Sequence, residues 1–169
     1  DWSVTGVQTC ALPIYPKNPI ELSYKTLVRP QLEYCSSIWD RYHKNQIQQI
    51  EAIQNRAARF TNSDYSRYSS VSAMKKELGW ESLQARRKIG KVVLLYKILN
   101  THLDVRLELR PSAVHPGKFT QLHCRTVAYQ RSFIPDTIII WNSLPPSLTS
   151  VVTVDAFRSG AASALIEAY

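Results

Sequence analysis

Asp40, Asp64, Asp104, Asp136 and Asp155 are carboxylates that could hold a catalytic metal, but they stand apart from one another along the chain. Two-metal nucleotidyl transfer needs carboxylates close enough to grip both ions, and a paired-aspartate turn between strands is absent. His115, His123 and Cys124 offer nitrogen and sulfur ligands. One adjacent His-Cys pair with a distant histidine lacks the spacing of a zinc knuckle, so ordinary surface or core roles are expected. There is no Gly-rich phosphate loop and no G-x-S-x-G elbow. The chemistry that remains is cationic. Arg56 and Arg59, three residues apart, and Arg86, Arg87, Lys88 and Lys91 are the candidate phosphate ligands. The competing reading is a set of solvated helix faces.

Helices must position these cations. From Asn45 to Phe60, Ile47, Ile50, Ile53, Ala57 and Phe60 recur at three- and four-residue intervals, which predicts an amphipathic helix with that side as core and Arg56 and Arg59 opposite it. Ser82 is placed to cap a second long helix running to about Asn100. Arg86, Arg87, Lys88 and Lys91 occupy its early turns, where cations oppose the helix macrodipole. A phosphate held by exposed N–H groups and neighbouring cations would offset that cost. So would side chains that reach out into water.

Shorter elements surround these two. Asn18-Pro19-Ile20-Glu21 reads as a capped helix start, and Pro30 should kink or divide that helix. A second piece is expected from Gln31 to Ser36, ahead of Trp39. Thr61 to Ser70 is a polar loop that Tyr65 and Tyr68 are expected to anchor. Ser70 caps a short helix that Gly79 ends, with Trp80 folding back into the core. After Thr101, prolines at 111, 116, 135, 145 and 146 favour loops and short strands, the latter where Lys118 to Cys124 alternates. Pro135 should start a helix carrying Ile138, Trp141 and Leu144, and Thr153 should cap a last one carrying Ala156, Phe157, Ala161 and Leu165. The expected fold is mainly α: a helical bundle, then a loop-rich region with short strands and two short helices.

Composition bounds the function. Hydrophobic residues at 44% and charged residues at 20% exclude a disordered chain, and no apolar run approaches the roughly 18–20 residues of a membrane span. Cys35 and Cys124 form no disulfide framework, so an intracellular, non-secreted chain, nuclear or cytoplasmic, is expected. The net charge of +8 is uneven: residues 15–100 carry fifteen Lys and Arg against seven Asp and Glu, and residues 101–169 carry six against five. That asymmetry is the electrostatic footprint of a nucleic-acid binder, although solvated basic faces also produce it.

Two resemblances extend this reading. Val4 to Ile14, V-T-G-V-Q-T-C-A-L-P-I, resembles the in-frame translation of a sequencing-library adapter, so residues 1–14, Cys10 included, are set aside and the native part is expected to begin near Tyr15. The segments Y-K-T-L-V-R-P-Q-L-E-Y (24–34), S-I-W-D (37–40), I-E-A-I-Q-N-R-A-A-R-F (50–60), E-L-G-W (77–80), L-Y-K-I-L-N (95–100) and S-F-I-P-D-T-I-I-I-W-N-S-L-P (132–145) resemble the region after the palm in jockey-like, LINE-type non-LTR retrotransposon reverse transcriptases. Their order and spacing make the resemblance specific.

The resemblance implies a thumb-like helical region over 15–100 that grips the template-primer duplex of RNA and DNA, then a C-terminal extension over 101–169. It also implies that the RNA-directed DNA polymerase activity, with its Mg and its catalytic aspartates, belongs to an upstream palm, so no cofactor and no catalysis are expected of this chain. Arg41, Arg106 and Asp136 depart from the family pattern, and the acid at 136 argues against phosphate contact by that motif. If Arg56, Arg59, Arg86, Arg87, Lys88 and Lys91 met about five phosphates, the logarithmic salt slope would be near −4.5, from about −0.9 per phosphate on duplex. The alternative is a helical scaffold that docks on a protein through an apolar face and touches no nucleic acid.

Overall fold

A computed structural model describes residues 19–100, 107 and 109–166, and within them the chain is mainly helical. The adapter-like stretch, the expected cap Asn18, and Asp104 and Arg106 lie outside the described residues. Contacts divide the chain into two units, Asp1–Tyr34 with Ala52–Trp80 and Cys35–Glu51 with Glu81–Tyr169. The division therefore does not fall at residue 100, where sequence composition changes. The helix expected to close the first half packs instead with the C-terminal elements, because its apolar side needs them for a core.

In the first unit, α1 (Pro19–Ser23) passes through a π-helical turn, Tyr24–Val28, into α2 (Arg29–Glu33). Pro30 has no N–H and crowds the preceding turn, so the wider turn ahead of it carries the chain past, with the Arg29 N–H bonded to the Tyr24 carbonyl. The helix is divided as expected, but the next piece ends at Glu33 rather than Ser36. Cys35 adopts a left-handed conformation at φ 50° and the chain restarts as α3 (Ser36–Trp39) in the second unit.

Helix α4 (Lys44–Thr61) gives residues 44–51 to the second unit and 52–61 to the first. Its fully buried positions are Gln54, Ala58 and Thr61; of the predicted stripe, Ala57 packs against the first unit's core and Ile47 and Ile50 are half-buried. Ile53 and Phe60 are exposed. The reason lies in the partners: Tyr24 and Trp80 stack with ring centroids 4.5 Å apart, and with Met74 they form a core to which α4 offers Ala58, with Ala57 beside it. Two large rings leave room for a methyl group and not for a branched side chain.

Helix α5 (Val71–Glu77) starts and stops as its sequence predicts. Ser70 Oγ accepts the Ala73 N–H. At the other end Gly79 turns left-handed at φ 64°, while the Trp80 and Gly79 N–H groups bond the Lys75 and Lys76 carbonyls. Trp80 is thereby folded into the core, where its Nε1–H donates to Glu21 at 3.2 Å.

The second unit is built on α6 (Leu83–Asn100), capped by Ser82, whose Oγ accepts the Ala85 N–H at 3.1 Å. Ile89, Val92, Val93 and Tyr96 pack with Trp141 and Leu144, and with Phe157, Ala161 and Leu165 of α10 (Val154–Ile166). Tyr96 stacks on Phe157, and Phe157 on Trp141. Between them run α7 (Val127–Gln130), α8 (Phe133–Ser143) and α9 (Pro146–Thr149). Helix α8 begins two residues ahead of the predicted Pro135, and α10 has Thr153 as its cap, as expected.

Where short strands are expected near Lys118 to Cys124, the described residues hold an isolated antiparallel bridge, Pro111 with Phe119. Side chains fix this loop instead. Asn142 accepts the Phe119 N–H and donates to the Phe119 carbonyl, and Trp141 Nε1–H donates to the Gly117 carbonyl at 2.9 Å. No helix among the described residues is long and apolar enough to cross a membrane.

Candidate nucleic-acid interface

The α6 cations do not share one side. Leu83, Arg87, Lys91 and Leu95 follow one another four residues apart, and all are buried, with Arg87 and Lys91 only 1% and 2% exposed. Lys91 Nζ lies 2.7 Å from Asp40 Oδ2 and 2.7 Å from Asp136 Oδ2. Arg87 Nε donates to Asp40 Oδ1 at 2.9 Å, while its Nη1 and Nη2 meet no acceptor among the described residues. Arg131 extends the cluster from its half-exposed position, 3.4 Å from Asp136 Oδ1. Two aspartates that look isolated in sequence thus converge on one ammonium group.

This corrects the sequence expectation for Arg87 and Lys91. A cation enclosed between carboxylates has no surface to offer a phosphate, and pulling it out would strand buried charge. The helix N-terminus is likewise occupied. Its Gln84 N–H donates to Glu51 Oε1 at 3.0 Å, and the Ala85 N–H goes to Ser82. The carboxylate of Glu51 supplies the negative charge that the macrodipole favours, where the sequence left a phosphate and solvated side chains as alternatives.

The other four candidates lie elsewhere. Lys88 is half-buried, and burial pulls its ammonium below the usual lysine range against the opposing charges of Asp136 and Asp40. Arg86 points toward Glu81, 3.9 Å away. Arg56 is exposed on α4, and Arg59 donates Nη1 to the Ser66 carbonyl at 2.8 Å, which ties down the following loop. Arg56 and Arg59 belong to the first unit, and Arg86 to Lys91 to the second.

Tyr65 and Tyr68, the predicted anchors of that loop, are 64% and 100% exposed. Polar bonds take the anchoring role. Asp64 Oδ1 accepts the Ser66 N–H, and Ser69 hydrogen-bonds the same carboxyl, which with the Ser66 bond and the charge of Arg59 holds Asp64 below its ordinary carboxylate range.

Sequence reasoning missed the charge cluster, though a signal existed: two cations sit on the stripe whose neighbours four residues out are leucines. For catalysis, no group of three His, Cys, Asp or Glu that could hold a metal ion occurs among the described residues. His115 is exposed, and Cys124 Sγ is directed to the Leu122 carbonyl at 3.3 Å. No family profile, curated protein or solved structure matches the chain.

Proposed function

We propose that this chain is a non-catalytic helical part of a LINE-type RNA-directed DNA polymerase, adding to the grip on template-primer through exposed cations. The observation that carries the proposal is the order and spacing of six motifs between residues 24 and 145 that resemble the post-palm region of those enzymes. The motif residues are also where the folded units are fastened: Trp80 in the first core, Asp40 and Asp136 at Lys91, and Trp141 and Asn142 on the loop. In this reading the first helices are thumb-like, the remainder is a loop-rich extension, and the palm with its Mg belongs to the parent polymerase.

With Arg87 and Lys91 enclosed and Arg59 bonded to Ser66, the first unit keeps Arg56 and Arg67 exposed, and these are the cations the proposal assigns to phosphate. About two phosphate contacts give a logarithmic salt slope near −1.8, so affinity for duplex should fall roughly 12-fold between about 50 and 200 mM salt. Arg56→Ala should flatten that slope to about −0.9. Fluorescence anisotropy with an RNA–DNA hybrid measures both. A slope near zero in the unsubstituted chain would remove the proposal.

The exposure of Leu27, Ile53 and Phe60 supports a second reading, a scaffold that docks on protein through these side chains. It predicts self-association that high salt does not relieve.

A further inference from the structure

The loop from Asn62 to Ser70 is firmly fixed and yet leaves its largest side chains in water. The Asp64 N–H bonds the Arg59 carbonyl at 3.0 Å, Arg59 in return grips the Ser66 carbonyl, and the Tyr68 N–H donates to Ser66 Oγ at 3.3 Å. The backbone is therefore ordered without help from Tyr65 and Tyr68. Apolar rings of this size ordinarily contribute by burial. Here both project outward on either side of Ser66 and Arg67, and Phe60, one turn before the loop, is 55% exposed as well.

Charge identifies the partner. From Arg56 to Lys76 the chain carries five Lys and Arg and a single acid, Asp64, whose carboxyl is occupied by Ser66 and Ser69. Exposed rings alternating with an exposed arginine on a cationic stretch suit a polyanion that also has flat faces to stack. Single-stranded nucleic acid has both, whereas a duplex hides its base faces. Three residues of chain span at most about 10 Å, so Tyr65 and Tyr68 are spaced to take neighbouring or next-neighbouring bases of one strand.

We propose that this loop is a stacking platform for single-stranded nucleic acid, with Tyr65 and Tyr68 as the base-stacking residues and Arg67 on the intervening phosphate. The proposal rests on the nucleic-acid reading above and deepens it, since it adds a strand-type preference and a set of residues that charge alone does not select.

The test uses the full chain and two fluorescein-labelled probes, a homopyrimidine single strand of about 12 nucleotides and an RNA–DNA duplex of the same length. Tyr65→Ala and Tyr68→Ala should each weaken single-strand binding by about 5- to 150-fold, and duplex binding by less than about 2-fold. Tyr68→Phe should retain the affinity, because the stacking face is kept. The salt slope should be the same in the tyrosine variants, since no phosphate contact is lost. Both residues are exposed, so urea midpoints should not move.

Undiminished single-strand binding in the double alanine variant would overturn this inference alone. Equal losses on both probes would also overturn it, by revealing a general effect. Binding of neither probe by the unsubstituted chain would overturn it together with the function it rests on. If the substitutions relieve self-association in sedimentation velocity and leave probe binding untouched, the rings belong to a protein interface and the inference fails.

Discussion

Replacing Lys91 by Met removes the ammonium group that Asp40 and Asp136 share and keeps most of the side-chain volume. Lys91 is 2% exposed and each carboxylate oxygen lies 2.7 Å from Nζ, so the substitution leaves two poorly solvated anions facing a thioether. Breaking a buried ion pair by removing one partner costs about 3–5 kcal/mol. Asp40 keeps Arg87 at 2.9 Å and Asp136 keeps the half-exposed Arg131 at 3.4 Å, which places the expected loss at the lower end, about 3 kcal/mol. In a chain of this length that corresponds to a fall in Tm of about 6–12 °C. Urea unfolding followed by circular dichroism gives the free-energy difference directly.

A double-mutant cycle isolates the contact. Asp136→Asn should cost much less in the Lys91→Met background than in the unsubstituted chain, with a coupling of about 1–3 kcal/mol. If Lys91→Met lowers stability by less than about 0.5 kcal/mol, or the two substitutions add, the carboxylates do not depend on the lysine and the account of the second unit is wrong.

Two further outcomes test the packing and the electrostatics. A Cβ placed on Gly160, inside α10, would press on Cδ2 at the flexible end of Leu148, so the side-chain shift should offset the roughly 1 kcal/mol of helix propensity that Gly160→Ala brings, and in a Leu148→Ala background the same change should stabilise by about 1 kcal/mol when thermal melts of the four proteins are compared. Glu21 is held below its ordinary value of 4.5 chiefly by the hydrogen bond with Lys25, with Trp80 and the Lys25 charge assisting and burial opposing. A depressed folded value stabilises above pH 4.5 and is lost as pH falls through it, so the urea-midpoint difference between the unsubstituted chain and Glu21→Gln should shrink on acidification below that pH. A difference independent of pH across that range would refute the assignment.

Local chemistry was legible where a short-range rule applies. Ser70, Ser82 and Thr153 cap helices because a hydroxyl reaches an N–H three residues on, and Gly79 ends one because it alone avoids a Cβ penalty at positive φ. What the chain conceals depends on fit between distant side chains. The isoleucines of α4 suggested its buried face, but the Tyr24–Trp80 stack selected Ala58. Arg87 and Lys91 resembled surface cations because their counter-charges, Asp40 and Asp136, stand more than forty residues away. Tyr65 and Tyr68 are expected to anchor the 61–70 loop because of their size, and the polar bonds that take that role are not apparent from residue type.

The span from Lys91 to Asp136 also sets an order on biosynthesis. A ribosome adding about 5–20 residues per second needs roughly 2–9 s to cover the 45 residues between them. During that interval the nascent chain holds two cations, Arg87 and Lys91, against the single anion of Asp40. Closing the second core then would trap an unbalanced positive charge away from water. Trp141, Phe157 and Leu165, which complete that core, leave the tunnel later still, so the second carboxylate is already at hand when packing can enclose Lys91.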